Sequence, residues 1–232
     1  MRFDVITILP NILESFSQES LIARAQKKKI IFFNVHNLRK WTKDRHKTVD
    51  DRPYGGGAGM VLMVPPIMKA VESVKLKMIP PNPLLQKRGD KVSRVILFSA
   101  KGKRFTQSDA RRLSKYKQLI MICGRYEGVD ERVARHIADE EISIGDYVLF
   151  GGEVPAMVMT EAVTRLLPNA VGKIESVEQE SHKKIGYIEH PHYTRPEEIK
   201  IKGKVRRVPK VLLSGNHNEI EKWRKRKSKF KS

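Results

Sequence analysis

The sequence predicts an α/β protein with a mostly parallel sheet, helices on both of its faces, and a small, basic, helical domain at the C-terminal end. Three observations carry that reading. Strand-like and helix-like segments alternate from residue 3 to about residue 167, the pattern of a parallel sheet built from βαβ units. Two glycine-bearing turns, Cys123-Gly124-Arg125-Tyr126-Glu127-Gly128 and Gly151-Gly152, each follow an apolar run and lead into a helical pattern. The chain beyond Pro168 loses this alternation, and from Lys200 onward it holds 13 Lys/Arg against 2 Glu, a local charge of 13 − 2 = +11.

Taken in order, residues 3–9 read as a buried strand that Pro10 ends, and residues 11–29 as one amphipathic helix carrying Ile12, Leu13, Phe16, Leu21, Ile22 and Ala25. Residues 30–36 read as a second strand, followed by a polar segment to Asp51. Residues 64–74 look helical, and 75–93, with Pro80, Pro81 and Pro83, read as an exposed loop. Strands over 94–99 and 118–123 flank a helix over 107–116. A helix over 130–138 precedes an apolar run from 141, and a further helix is expected to start at Pro155, whose missing N–H costs nothing in a first turn. This gives a main domain over 1–167, a flexible linker over 168–189 and a small basic helical domain over 190–232. In the last, a helix near 216–229 interleaves Trp223 and Phe230 with Arg and Lys.

Length and composition bound the function. A chain of 232 residues, 40% hydrophobic, holds one ordinary domain plus a small second one. With 46 Lys+Arg against 26 Asp+Glu the formal net charge is +20, which points to a polyanionic partner, usually nucleic acid. One cysteine excludes an internal disulfide and fits a reducing cytoplasm. The first ten residues are too short and too acidic for a signal peptide, and no apolar run approaches the roughly 18 residues of a membrane helix.

Several motifs invite chemistry. Tyr54-Gly55-Gly56-Gly57-Ala58-Gly59-Met60 has the glycines of a phosphate cradle, yet no Gly-Lys-Ser/Thr follows, so it is not a nucleotide P-loop; a loop needing positive φ is the plainer reading. Cys123 has no histidine arrangement beside it and reads as a buried strand end. His190-Pro191-His192 lacks the further ligands of a metal site and reads as a phosphate or loop contact.

Six stretches, in order and spread over most of the chain, closely resemble the bacterial tRNA (guanine-37-N1)-methyltransferases: residues 46–57 (His-Lys-Thr-Val-Asp-Asp-Arg-Pro-Tyr-Gly-Gly-Gly), the Cys123–Gly128 turn, 143–149 (Ser-Ile-Gly-Asp-Tyr-Val-Leu), Gly151-Gly152-Glu153, 191–196 (Pro-His-Tyr-Thr-Arg-Pro) and 213–217 (Leu-Ser-Gly-Asn-His). The resemblance implies the SPOUT class: an α/β domain whose C-terminal part forms a trefoil knot, S-adenosylmethionine as methyl donor, a homodimer with active sites built from both protomers, and tRNA as substrate. It implies that Leu97, Phe98 and Ser99, then Gly124, Tyr126 and Glu127, then Ile144, Gly145, Tyr147, Leu149, Gly151 and Gly152 form three loops around the cofactor, the glycines leaving room for adenine. Asp50, Arg52, Gly55, Gly59, His192, Arg195, Ser214, Asn216 and Trp223 are implied as tRNA-binding. Arg165 matches the family's catalytic arginine. Mg2+ beside the cofactor carboxylate, with Glu127 as its contact, is a further candidate; no metal ligand set is assigned.

The family's general base, an Asp followed by Ser, falls here on Glu180 before Ser181, and His182 replaces the usual aromatic residue. Segment 75–93 is longer than the usual connection, and the C-terminal domain ends early. The chemistry needs both assigned roles. Guanine N1 must lose a proton before it attacks the methyl group, which a carboxylate accepts; charge then grows on the guanine oxygen, where a fixed guanidinium stabilises it. Glu175 and Glu178 are rivals of Glu180. A non-catalytic RNA-binding module, and a SPOUT enzyme acting on ribosomal RNA, are the alternative readings.

Overall fold

A computed structural model describes residues 1–76, 92–171, 181–182, 184 and 186–230. The chain divides into two compact units, Met1–Gly172 and Lys173–Ser232.

The first unit is built on five strands: β1 (Arg2–Thr7), β2 (Phe32–Asn37), β5 (Ser93–Arg104), β6 (Gln118–Cys123) and β7 (Glu140–Ser143). They lie in the order β2-β1-β6-β5-β7, and every pairing is parallel. A separate two-residue ladder pairs β3 (Asp50–Asp51) with β4 (Val61–Leu62). The predicted parallel sheet is therefore present, and the near-continuous apolar strands reflect burial on both faces. Period-two alternation sorts them. Phe3, Val5, Ile96, Phe98, Leu119 and Met121 face one core, and Ile6, Val95, Leu97, Ile120 and Ile122 face the other. The first core is completed by residues of α1 (Glu14–Gln18), α2 (Ser20–Lys27), α4 (Gln107–Leu113) and α6 (Glu153–Thr164); the second by residues of α3 (Val64–Leu76) and α5 (Glu131–His136). Asp4 is the buried charged residue of β1. It is fully buried, and Arg2, Asn34, His36 and Gln118 surround its carboxylate with hydrogen bonds. Burial alone would raise its pKa, but these partners outweigh it and hold the carboxyl below its usual value.

Several boundaries differ from expectation. The helix over 11–29 is instead a 3-10 turn at Pro10–Leu13, then α1 and α2, broken where Glu19 is extended and Ser20 takes φ 52°. The side chain of Gln26 closes that break by donating to the Ser17 carbonyl at 2.5 Å. β5 runs past Ser99 to Arg104. Its pairing with β7 is interrupted between Phe98 and Lys103, so residues 99–102 swing out of the ladder. Gly102 permits this, because a Cβ there would meet the Ile142 backbone nitrogen at 2.5 Å. α6 starts at Glu153 rather than Pro155, which still sits in the first turn, where N–H groups have no partner within the helix. The expected loop over 75–93 lies largely outside the described residues.

The second unit is less purely helical than expected. It contains α7 (Lys210–Leu213) and α8 (His217–Lys227), with Asn216 capping α8 by accepting from Glu219 N–H at 3.3 Å. It also contains two antiparallel ladders: β8 (Tyr187–Ile188) with β11 (Lys229–Phe230), and β9 (Glu198–Ile201) with β10 (Lys204–Arg207). The β9–β10 turn places Lys202 and Gly203 both at positive φ, the two-residue geometry whose twist suits a hairpin. Among the described residues no helix is long and apolar enough to cross a membrane.

Candidate functional site

β6, β5 and β7 are neighbours in the sheet, and the chain reverses direction here: from β5 it moves to β6, then crosses back over β5 to β7. In open α/β sheets such a reversal opens a crevice at the carboxyl ends of the strands. A cavity of about 450 Å3 lies at these ends. All twelve expected cofactor residues line it: Leu97, Phe98 and Ser99 from β5; Gly124, Tyr126 and Glu127 after β6; Ile144, Gly145, Tyr147, Leu149, Gly151 and Gly152 after β7.

Each loop is held locally. Ser143 Oγ accepts from Gly145 N–H at 3.2 Å and donates to Gly145 O at 2.8 Å, closing the third turn. Tyr126 takes φ 60°, rare for an aromatic residue and typical of positions whose surroundings enforce it. The second loop is stitched to the third by the Gly152 N–H bond to Gly124 O at 3.0 Å and by an antiparallel bridge between Arg125 and Gly151. It is stitched to the glycine-rich loop by Glu127 N–H to Met60 O at 3.0 Å.

The glycines also have packing reasons within the protein. A Cβ on Gly152 would meet Cys123 Cα at 2.6 Å, so the backbone packed beneath it requires a bare residue. A Cβ on Gly145 would run into the Tyr147 ring, and one on Gly151 into the Arg125 side chain. Gly59, expected at the tRNA, is exposed and lies beside Glu127, whose Cγ a Cβ would meet at 2.5 Å. Gly55 has positive φ and open space around it.

Sequence reasoning missed five charged residues here. Lys101, Arg125, Glu131 and Glu141 also line the cavity. Lys101 Nζ reaches Glu131 Oε2 at 2.5 Å across its rim. Glu153, 1% exposed, accepts from Arg125 and from Thr7. The Gly-Gly-Glu stretch carried the signal for Glu153, but its partners are remote in sequence. Within a chain of net charge +20, the wall carries Glu127, Glu131 and Glu141 against Lys101 and Arg125. Glu141 Oε1 is buried there without a hydrogen-bond partner. An acidic wall with a spare acceptor, beside apolar Leu97, Phe98, Ile144 and Leu149, fits a cationic ligand that carries donors and a flat ring. S-adenosylmethionine has those features. Cys123 is buried, and burial followed by the nearby Glu153 pushes its thiol pKa well up, so it is no nucleophile. Among the described residues no group of three or more His, Cys, Asp or Glu is arranged to hold a metal.

Arg165 does not line the cavity; it caps the far end of α6, where its N–H bonds Glu161 O at 3.1 Å. Glu180, Glu175 and Glu178 lie outside the described residues. Their neighbour Ser181 is in place: its hydroxyl donates to Glu189 Oε1 at 3.3 Å and accepts from Glu189 N–H at 3.2 Å. Asp50 pairs with Leu62 across the β3–β4 ladder, and Arg52 is exposed. In the second unit His192 is exposed and meets Glu189 at 3.1 Å, and Arg195 is exposed. Ser214 accepts from Asn216 N–H at 3.2 Å. Trp223 corrects the expectation of a tRNA-facing aromatic. It is 6% exposed, with its ring edge-on to His190 and Tyr193, and forms the centre of the second unit; Phe230 is the exposed member of the pair.

A family model described as tRNA (guanine-1)-methyltransferase TrmD matches residues 1–232. The chain belongs to this family. It is similar to the tRNA (guanine-N(1)-)-methyltransferase of Dehalococcoides mccartyi, with 46% identity over 228 residues covering 98% of this chain and 86% of that protein. The protein of the same description from Bacillus pumilus is 46% identical, covering 98% and 87%. That of Thermomicrobium roseum is 47% identical over 225 residues, covering 97% and 78%. Membership of this family implies a methyl donor and a tRNA substrate.

Proposed function

We propose that this chain transfers a methyl group from S-adenosylmethionine to N1 of the guanosine at position 37 of tRNA, 3′ of the anticodon. The enzyme class and the methylated atom follow from the family. The observation that supports the cofactor's place is the convergence of three loops, from the ends of β5, β6 and β7, on one acidic-walled cavity. Bound there, adenosylmethionine would supply the electrophilic methyl group, and Leu97, Phe98, Ile144, Leu149 and Glu141 would be among the residues that hold it. The knotted SPOUT topology, the assignment of 1–167, 168–189 and 190–232 as methyltransferase domain, linker and tRNA-binding domain, a homodimer with composite sites and a cytoplasmic location belong to the same proposal.

The chain's own residues then divide the work. Glu180 takes the N1 proton, and Arg165 stabilises negative charge as it develops on the guanine oxygen. The guanine leaves its stack to reach them, at a cost of about a few kcal/mol. Glu127 is the residue that would hold a Mg2+ ion, which would supply positive charge beside the cofactor. Asp50, Arg52, Gly55, His192, Arg195, Ser214 and Asn216 are proposed on the tRNA side.

The test is to methylate an unmodified tRNA transcript and map the product. Methyl at N1 of guanosine 37 is expected. Methyl elsewhere on tRNA, or on ribosomal RNA only, would overturn the position. A thermal shift on adding adenosylmethionine is also expected; its absence, together with intact tRNA binding, would favour the non-catalytic module. Chelation with EDTA should slow turnover without loosening tRNA binding, and unchanged turnover would remove Mg2+ from the proposal.

A further inference from the structure

We infer that the ion pair of part-buried Arg125 with buried Glu153 is a latch that sets the spacing of the second and third cavity loops, which makes both residues positioning residues for cofactor binding. The inference rests on the reading of the cavity as the adenosylmethionine site. Arg125 stands in the loop after β6; Glu153 is the first residue of α6, directly behind the third loop. The Glu153 carboxylate accepts three hydrogen bonds. It accepts from Thr7 Oγ1 at 2.6 Å, from Arg125 Nε at 3.0 Å and from Arg125 Nη2 at 2.9 Å. The pair therefore ties three remote segments: the end of β1, the second loop and the start of α6.

The surroundings are cut to fit it. Gly151 is bare where the Arg125 side chain crosses it, and the Gly152 N–H bond to Gly124 O adds a backbone tie beneath the pair. The N-terminal end of α6 favours a carboxylate through its dipole. Yet burying an ion pair is a poor way to gain stability, since two apolar side chains of similar volume often serve as well. Neither residue belongs to the two apolar cores. What the ion pair supplies and an apolar pair does not is direction: a planar guanidinium fork meets a carboxylate in one geometry. That geometry fixes the gap between the loops. It also fixes the start of a 12-residue helix that Arg165 caps, about 18 Å away, so an error at Glu153 is carried to that end.

The chain carries its own reporter. Cys123, the single cysteine, is 1% exposed, and it lies under Gly152 at the root of the second loop. If the latch holds the loops together, releasing it exposes this thiol.

The experiment compares the whole wild-type protein with Glu153→Gln and with the double variant Arg125→Met/Glu153→Met, which leaves no charge unpaired. Three quantities are read: labelling of Cys123 by an aromatic disulfide reagent, adenosylmethionine affinity by calorimetry, and thermal melting. The double variant is expected to melt cooperatively, to label at least about tenfold faster and to bind adenosylmethionine at least about tenfold more weakly, with tRNA affinity in the absence of cofactor unchanged. Adenosylmethionine should slow the labelling of the wild type. A double variant with wild-type affinity and a protected Cys123 would overturn the inference, leaving the pair as packing. A double variant with no cooperative melt would overturn it too, because the pair would then serve folding. Failure of the wild type to bind adenosylmethionine would instead sink the reading of the cavity, while the labelling still reports on the latch.

Discussion

Glu153 accepts three hydrogen bonds and is sealed from solvent, whereas Glu189 accepts from His192 and from Ser181, the former doing most to hold its carboxyl below the usual Glu range. Both carboxylates are committed to partners; the base proposed above is Glu180, beside a Ser181 that Glu189 already fixes. Glu180→Gln keeps size and hydrogen bonding but accepts no proton. Single-turnover methylation of one transcript across pH should fall by about 10²-fold or more, with cofactor binding nearly unchanged. Glu178→Gln should cost far less, and Glu180→Asp should stay active. A dead Glu178→Gln would move the base by two positions; two active Gln variants would make Glu127 the next suspect. Residue identities at the cavity were legible in the sequence because the glycine and apolar motifs are local. Their physical reasons were not. That Gly152 must be bare for Cys123, and Gly59 for Glu127, depends on approaches between segments about 30 and 70 residues apart, which only the folded chain reveals. Trp223 was misread for the same reason: its basic neighbours are local, and the rings that bury it are not.

α4 shows what an element's own sequence secures. Thr106 accepts from Asp109 N–H at 3.3 Å while Asp109 accepts from Thr106 N–H at 3.2 Å, a reciprocal capping box. Asp109 also receives Lys103 and Arg112. Burial would raise its carboxyl, but these hydrogen bonds prevail and bring it down to about 2. A depressed folded pKa stabilises the native state above the unfolded value, about 3.9, and that stability is lost as pH falls from there toward 2. Thr106→Ala should cost about 1 kcal/mol in urea unfolding at pH 7. Asp109→Asn should destabilise at pH 7 and differ less from wild type near pH 2; an equal deficit at both pH values would show that charge is not the cause. Elements whose pattern is local, such as β6, were placed to the residue by sequence. The split between α1 and α2 was not, because it depends on Ser20 at positive φ and on Gln26 reaching back to Ser17. Nor was the extension of β5 beyond Ser99, which needs Gly102 against Ile142.

At the scale of the molecule, charge and assembly are the open quantities. The exposed cations Arg224, Arg226 and Lys227 on α8 contribute to the +20 charge, and neutralising phosphates releases counterions. Replacing these three by alanine should weaken tRNA binding and shallow the slope of log K against log salt by up to about 3, while adenosylmethionine affinity holds. An unchanged slope would make α8 a solvated face. Trp223 must stay in any such variant, since it packs the unit. Assembly is tested by mixing. Arg165 stands at the end of α6, outside the cavity lining. If each active site takes Arg165 from one protomer and Glu180 from its partner, Arg165→Ala and Glu180→Gln proteins are each inactive, yet a heterodimer of the two rebuilds one whole site. Random exchange makes half of the dimers hetero, each with one of two sites intact, so the equimolar mixture should recover about a quarter of wild-type specific activity. Exchange is confirmed first, with two differently tagged chains. Recovery near a quarter fixes the two residues on different chains. No recovery after complete exchange places both in one protomer, and the composite site would then be abandoned while the chemistry assigned to each residue stands.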